Sequence, residues 1–104
     1  MTVGEWLRTR EPTPPARLFA RIDSAVGSRA DQPSTRAADA CLEACEELLR
    51  DVVGRPSPGR ESALDLLAAD ALATYALEAA AEVSPSFEGR AYDAMRRLAA
   101  LAGE

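Results

Sequence analysis

Cys41 and Cys45 stand four residues apart in a stretch that reads as mid-helix, so their thiols share one face. Two thiolates there could take a soft ion such as Cu(I), or act in redox chemistry. They are an incomplete zinc site, which wants four ligands, and the chain has no histidine to complete it. A second copy of the chain could bring two such pairs together. The same cysteines also read as small hydrophobes in a buried seam, where free cysteine is commonly found. A disulfide between them is not expected, because such neighbours hold their Cβ atoms about 5–6 Å apart, against roughly 3.8 Å in a bridge. No metal or cofactor is assigned to the chain.

Asp70 is the second chemical candidate. By helical phase it lies beside Leu66 and Leu77, on a side that the apolar residues suggest is buried. A buried carboxylate must be paired or have a raised pKa. Asp70 is thus read either as a structural ion pair with Arg17 or Arg21, or as a site for a ligand or a partner's arginine. Glu78 and Glu82, and Asp65 near Glu61, read as acids on solvated helix faces. Nothing in the sequence places an acid and a base around a common pocket.

Trp6 is the one tryptophan. With Arg8, Arg10, Arg17 and Arg21 near it in sequence, it either docks across the rest of the chain as a lid or reaches a partner, since Trp and Arg dominate binding hot spots. Ala69, Ala73, Ala76 and Ala80 form a small-residue stripe that would let another helix approach to about 8 Å. The residues assigned to a partner are therefore Trp6, Arg10, Asp70, Ala69, Ala73, Ala76 and Ala80.

Composition narrows the functional classes. The missing histidine removes the commonest general base and the commonest metal ligand together. Aspartate-rich magnesium motifs, glycine-rich phosphate loops and Gly-x-Ser-x-Gly elbows are absent. All twelve basic residues are arginine, a usage that a GC-rich bacterial gene would produce. Net charge is -5, and residues 37–88 alone carry three Arg against eleven acids. That acidic middle repels phosphate and leaves nucleic-acid binding without electrostatic footing. Residues 1–36 and 89–104 are slightly basic and are expected to complement the middle, within the fold or across subunits. No apolar run is long enough for a membrane span, and the Met1–Trp6 start lacks signal-peptide features, so no membrane contact and a cytoplasmic location are expected.

The elements that must position these residues are helices. Alanine supplies 22 of the 104 residues and β-branched residues never alternate over strand length. Thr2 and Glu5 form a capping box that starts a short helix through about Arg10. Thr13 is placed to cap a second helix through Pro14-Pro15 to Val26, ended by Gly27, and residues 27–34 read as a polar loop. Ser34 or Thr35 would cap a third helix to Val53. Its apolar seam is Ala38, Cys41, Leu42, Cys45, Leu48, Leu49 and Val52.

After a loop at Arg55–Gly59, a fourth helix spans about Arg60 to Val83. Its large residues point several ways, which predicts a central helix hidden on nearly every side. Ser84-Pro85 opens a fifth helix with a buried stripe of Phe87, Ala91, Ala94, Met95, Leu98 and Leu101. The expected fold is an all-α bundle: four main helices plus a short N-terminal one, in one domain over 1–104, with residues 60–83 central. The expected function is a non-enzymatic interaction protein (adaptor, assembly factor or regulator), binding a protein partner or itself as a homodimer. The alternative is a bundle that binds a small molecule or soft metal through Asp70 or the Cys41/Cys45 pair.

Overall fold

A threonine–glutamate exchange opens the chain. Thr2 Oγ1 accepts from the Glu5 amide, and Glu5 Oε1 accepts from the Thr2 amide at 2.9 Å. The capping box starts α1, Val3–Leu7. This helix is shorter than the sequence suggests. The Thr9 hydroxyl and amide both donate to the Trp6 carbonyl, which would otherwise receive the next helical bond. The computed structural model describes residues 1–56, 59–83 and 87–103.

α2 covers Ala16–Val26, beginning after Pro15 rather than at Thr13. A residue that precedes proline is driven out of the helical region, so Thr13 and Pro14 stay extended. The helix stops at Gly27, whose φ of 55° and ψ of -131° suit only glycine. Residues 27–34, read from sequence as a loop, instead contain 3-10 turns at Gly27–Asp31 and Ser34–Arg36. The N-terminus is tied to this segment by Val3 N–H to Gln32 O at 2.8 Å and Ser34 N–H to Met1 O at 2.9 Å. α1 also presses so close that a Cβ on Gly4 would stand 3.3 Å from the Ala30 methyl.

α3 runs Ala37–Gly54, α4 Arg60–Val83 and α5 Phe87–Ala102. The cap predicted at Ser84-Pro85 lies outside the described residues. No strand occurs among the described residues, and the fold is an all-α helical bundle. Its Cα radius of gyration, 13.4 Å, is close to the ~13 Å of a compact chain this long.

The core is built mainly of thin side chains. Ala37, Ala40, Cys41, Leu42, Ala44, Cys45 and Leu48 of α3 meet Ala68, Ala69, Leu72, Ala76 and Ala79 of α4. Ile22 and Val26 of α2 and Val3, Trp6 and Leu7 of α1 complete it. Four of the seven residues of the predicted α3 seam are buried, and Ala38, Leu49 and Val52 are half-buried at its margin. On α5 only Ala94, Leu98 and Leu101 of the predicted stripe are half-buried, and Met95 is 61% exposed. The side chains of Phe87 and Ala91 lie outside the described residues.

α4 touches α2, α3 and α5, which makes it central. It is not hidden on nearly every side, as the sequence predicts. Ala63, Leu66, Leu67, Asp70 and Thr74 form a wet flank along it. The scattered leucines fall on both covered and open sides, because α2, α3 and α5 together leave this flank uncovered.

Asp65 clamps three helices at one point. Only 3% exposed, it accepts from Arg21 Nε of α2 at 2.5 Å and from Arg55 Nη2, just past α3, at 2.6 Å. Arg55 also donates to the Ser62 hydroxyl at 3.1 Å. The sequence assigns Asp65 to a solvated face; the structure buries it between two arginines. The hydrogen bond from Arg21, then that from Arg55, holds its carboxyl below the usual value of 3.8 despite burial.

Removing Asp65 would strand two cations. Breaking a buried pair costs roughly 3–5 kcal/mol, but both guanidiniums are near 30% exposed, so Asp65→Ala is expected to lose about 2–3 kcal/mol in urea unfolding. Because the folded pKa is depressed, this stabilisation is complete above the unfolded value and disappears as pH falls through the folded one. Wild type should therefore lose stability below about pH 4 more steeply than Asp65→Asn.

Candidate functional site

Trp6 is brought into α1 by the capping box and lands against α4. It is 5% exposed, and its Nε1–H donates to Glu82 Oε2 at 2.7 Å. Tyr75 meets its ring edge-on, with centroids 6.4 Å apart at 87°. Arg10 stacks on it with Cζ 3.9 Å from the ring centroid, while Nη1 lies 3.2 Å from Glu82 and 3.8 Å from Glu78. Burial pushes the Tyr75 hydroxyl above its ordinary pKa, with Glu78 adding to the effect.

Trp6 and Arg10, two of the residues assigned to a partner, are therefore engaged by α4 of the same chain. Trp6 is buried there and Arg10 spans its ring and two carboxylates. Glu78 and Glu82 are correspondingly anchors for the N-terminal segment rather than free surface acids.

Asp70 is exposed, not buried. Neither Arg17 nor Arg21 holds it; Arg21 is taken by Asp65, which lies five residues earlier and on the inner face. The sequence chose the wrong carboxylate because the outer flank carries Leu66 and Leu67 beside Asp70 while the inner side is largely alanine. The missed signal was phase: Asp65 shares its side with Ala68, Ala69, Leu72 and Ala76, the small-residue row that α3 covers.

That alanine row is also used internally. Ala69 and Ala76 are in the core, Ala80 is 4% exposed and Ala73 is half-buried. The helices that approach them are α3 and α5, so the row is not a free docking strip. Ala76 and Ala80 line a groove of about 750 Å³ shared with α3 and α5. Its floor is alanine and Leu42, and Asp39, Asp93, Arg96 and Arg97 edge it. Arg97 bridges to Glu46 of α3 at 2.7 Å.

Cys41 and Cys45 are free thiols sealed in the α3–α4 contact. Cys45 Sγ donates to the Ala69 carbonyl at 3.2 Å. Burial pushes the Cys41 thiol up to about 12 and that of Cys45 to about 11, so both are protonated at neutral pH. Among the described residues no three His, Cys, Asp or Glu side chains converge in a metal-holding group.

The outer flank of α4 is open to solvent. Ala63, Leu66, Leu67, Asp70 and Thr74 recur at helical spacing, with Leu66 48% and Leu67 57% exposed. Four of these five side chains carry no charge. Of the residues assigned to a partner, only Asp70 lies here. The chain matches no protein-family model, no curated protein and no solved structure.

Trp6 emission should be blue-shifted in the native protein and move red on unfolding, and Trp6→Ala should cost about 3–5 kcal/mol in thermal or urea melts. Native thiols should resist a thiol-specific chromogenic reagent at pH 8 and react on adding denaturant. Since both thiol pKa values are raised above 9.0, the associated stability is full below that pH and is lost as pH climbs toward about 12. Cys41→Ala should flatten this alkaline loss.

Proposed function

We propose that this chain is a non-enzymatic helical interaction protein that works as an adaptor, assembly factor or regulator. The observation that carries the reading is the outer flank of α4, where Leu66 and Leu67 stand in solvent along a helix whose inner face is already filled. Contiguous exposed apolar surface on a folded chain marks a contact site. Asp70 sits within the flank and supplies a polar point for orientation.

The internal engagement of Trp6 and Arg10 takes the one tryptophan out of the available surface, so the reading rests on the α4 leucines. Two free cysteines accord with a reducing, cytoplasmic setting. No helix among the described residues is long and apolar enough to cross a membrane. The strongly acidic stretch 37–88 favours a protein partner over a polyphosphate one.

A photo-crosslinking residue at Leu67, used in cells that naturally make the protein, is expected to give a discrete protein adduct. The same residue at Ser24, exposed on α2, is expected to give none. Absence of any adduct at Leu67, or equal labelling at both positions, would remove the reading.

A further inference from the structure

Residues 1–10 lie as a strap against the rest of the bundle. Their helix, α1, has five residues, well below the roughly 12–15 that a helix needs to persist in water by itself. It exists because it is docked. The polar fastenings are few: Val3 N–H to the Gln32 carbonyl, Ser34 N–H to the Met1 carbonyl, Trp6 Nε1–H to Glu82, and Arg10 to Glu78 and Glu82. Both acids are partly wet, with side chains 38% and 48% exposed. Behind the strap, residues 11–14 make no backbone hydrogen bond among the described residues, and Glu11, Pro12, Thr13 and Pro15 are exposed. That stretch ties the strap to α2 without locking one to the other.

The strap's own seat is imperfectly satisfied. Of four buried side-chain polar atoms that lack a hydrogen-bond partner among the described residues, three belong to the strap or to residues it is fastened to: Arg10 Nε, Gln32 Oε1 and Glu78 Oε1. Each regains water when the strap lifts, which lowers the cost of lifting it. A segment of this kind opens at less cost than the whole chain unfolds.

The two thiols stand differently toward it. Cys41 feels the charges of Arg10 and Glu78 and lies near Tyr75, which meets the Trp6 ring edge-on. Cys45, one turn further along α3, feels Glu46 and Asp70 instead, and its Sγ donates to the Ala69 carbonyl of α4.

We propose that residues 1–10 lift away from α4 as a unit while α2, α3 and α4 stay folded, and that this motion bares the Cys41 thiol and leaves Cys45 sealed. The strap is thereby a gate over a modifiable cysteine. Closed, it keeps reagents out. Open, it admits a soft electrophile, and the loss of burial, the main cause of the raised thiol pKa, eases formation of the thiolate. This gate stands apart from the outer flank of α4.

The test is alkylation of the full native chain with excess N-ethylmaleimide at pH 8 over hours. Peptide mass spectrometry assigns each thiol, and each rate is divided by that in the urea-unfolded chain. Cys41 should label about a hundredfold faster than Cys45 or more, at a rate nearly flat in low urea, while Cys45 labelling climbs with urea as global unfolding does. Arg10→Ala and Glu82→Ala, which loosen the strap, should each speed Cys41 about tenfold or more. Asp65→Asn, which weakens the clamp on α2 and α3, should speed Cys45 about tenfold and leave Cys41 within about twofold. Unchanged circular dichroism would establish that the variants fold. Equal labelling of the two thiols in wild type overturns the gate, as does Asp65→Asn speeding both by one factor. So does Cys41 labelling that neither Arg10→Ala nor Glu82→Ala changes.

Discussion

The structure depends on how little side chain separates α3 from α4. Alanine and cysteine dominate that contact, so the helices approach closely and each residue hides little apolar area. Two rows of methyls and thiols specify proximity well and orientation poorly. Orientation comes from the groups around the edges. Asp65 draws in α2 and the end of α3, and Trp6 brings the N-terminal segment onto α4.

Charge follows the same logic. The chain is basic at its ends and acidic in its middle, and the ends fold back on the middle within one molecule. Arg10 reaches Glu82, Arg21 reaches Asp65, Arg29 reaches Glu43 and Glu47, and Arg97 reaches Glu46. Most of these pairs are partly wet and contribute modestly to stability one by one. Asp65 differs, since it is buried and accepts from two guanidiniums at once. Arg10 and Arg21, two of the four arginines that the sequence sets beside Trp6, are consumed in this internal neutralisation.

α4 carries two apolar faces of different kinds. The inner one is alanine-rich and filled by α3; the outer one holds Leu66 and Leu67 and stands in water. Leu72 is fully buried and Leu64, Tyr75 and Leu77 are half-buried, while Leu66 and Leu67 stand in water; large residues on every side are why the sequence misreads the helix as wholly enclosed.

The all-α class, the capping box at Thr2, the glycine stop at Gly27, the span Arg60–Val83 and the buried cysteine seam were all legible in the chain. Each depends on interactions within a few residues or on a local period, which sequence spacing encodes directly. Asp65 rather than Asp70 as the buried acid, Glu82 as the acceptor for the docked Trp6, and the outer flank of α4 were not legible. Those outcomes depend on which neighbours exist and how much circumference they cover. Hydrophobic content along a helix records how many faces can be covered, and only the packed arrangement of the other helices selects the ones that are.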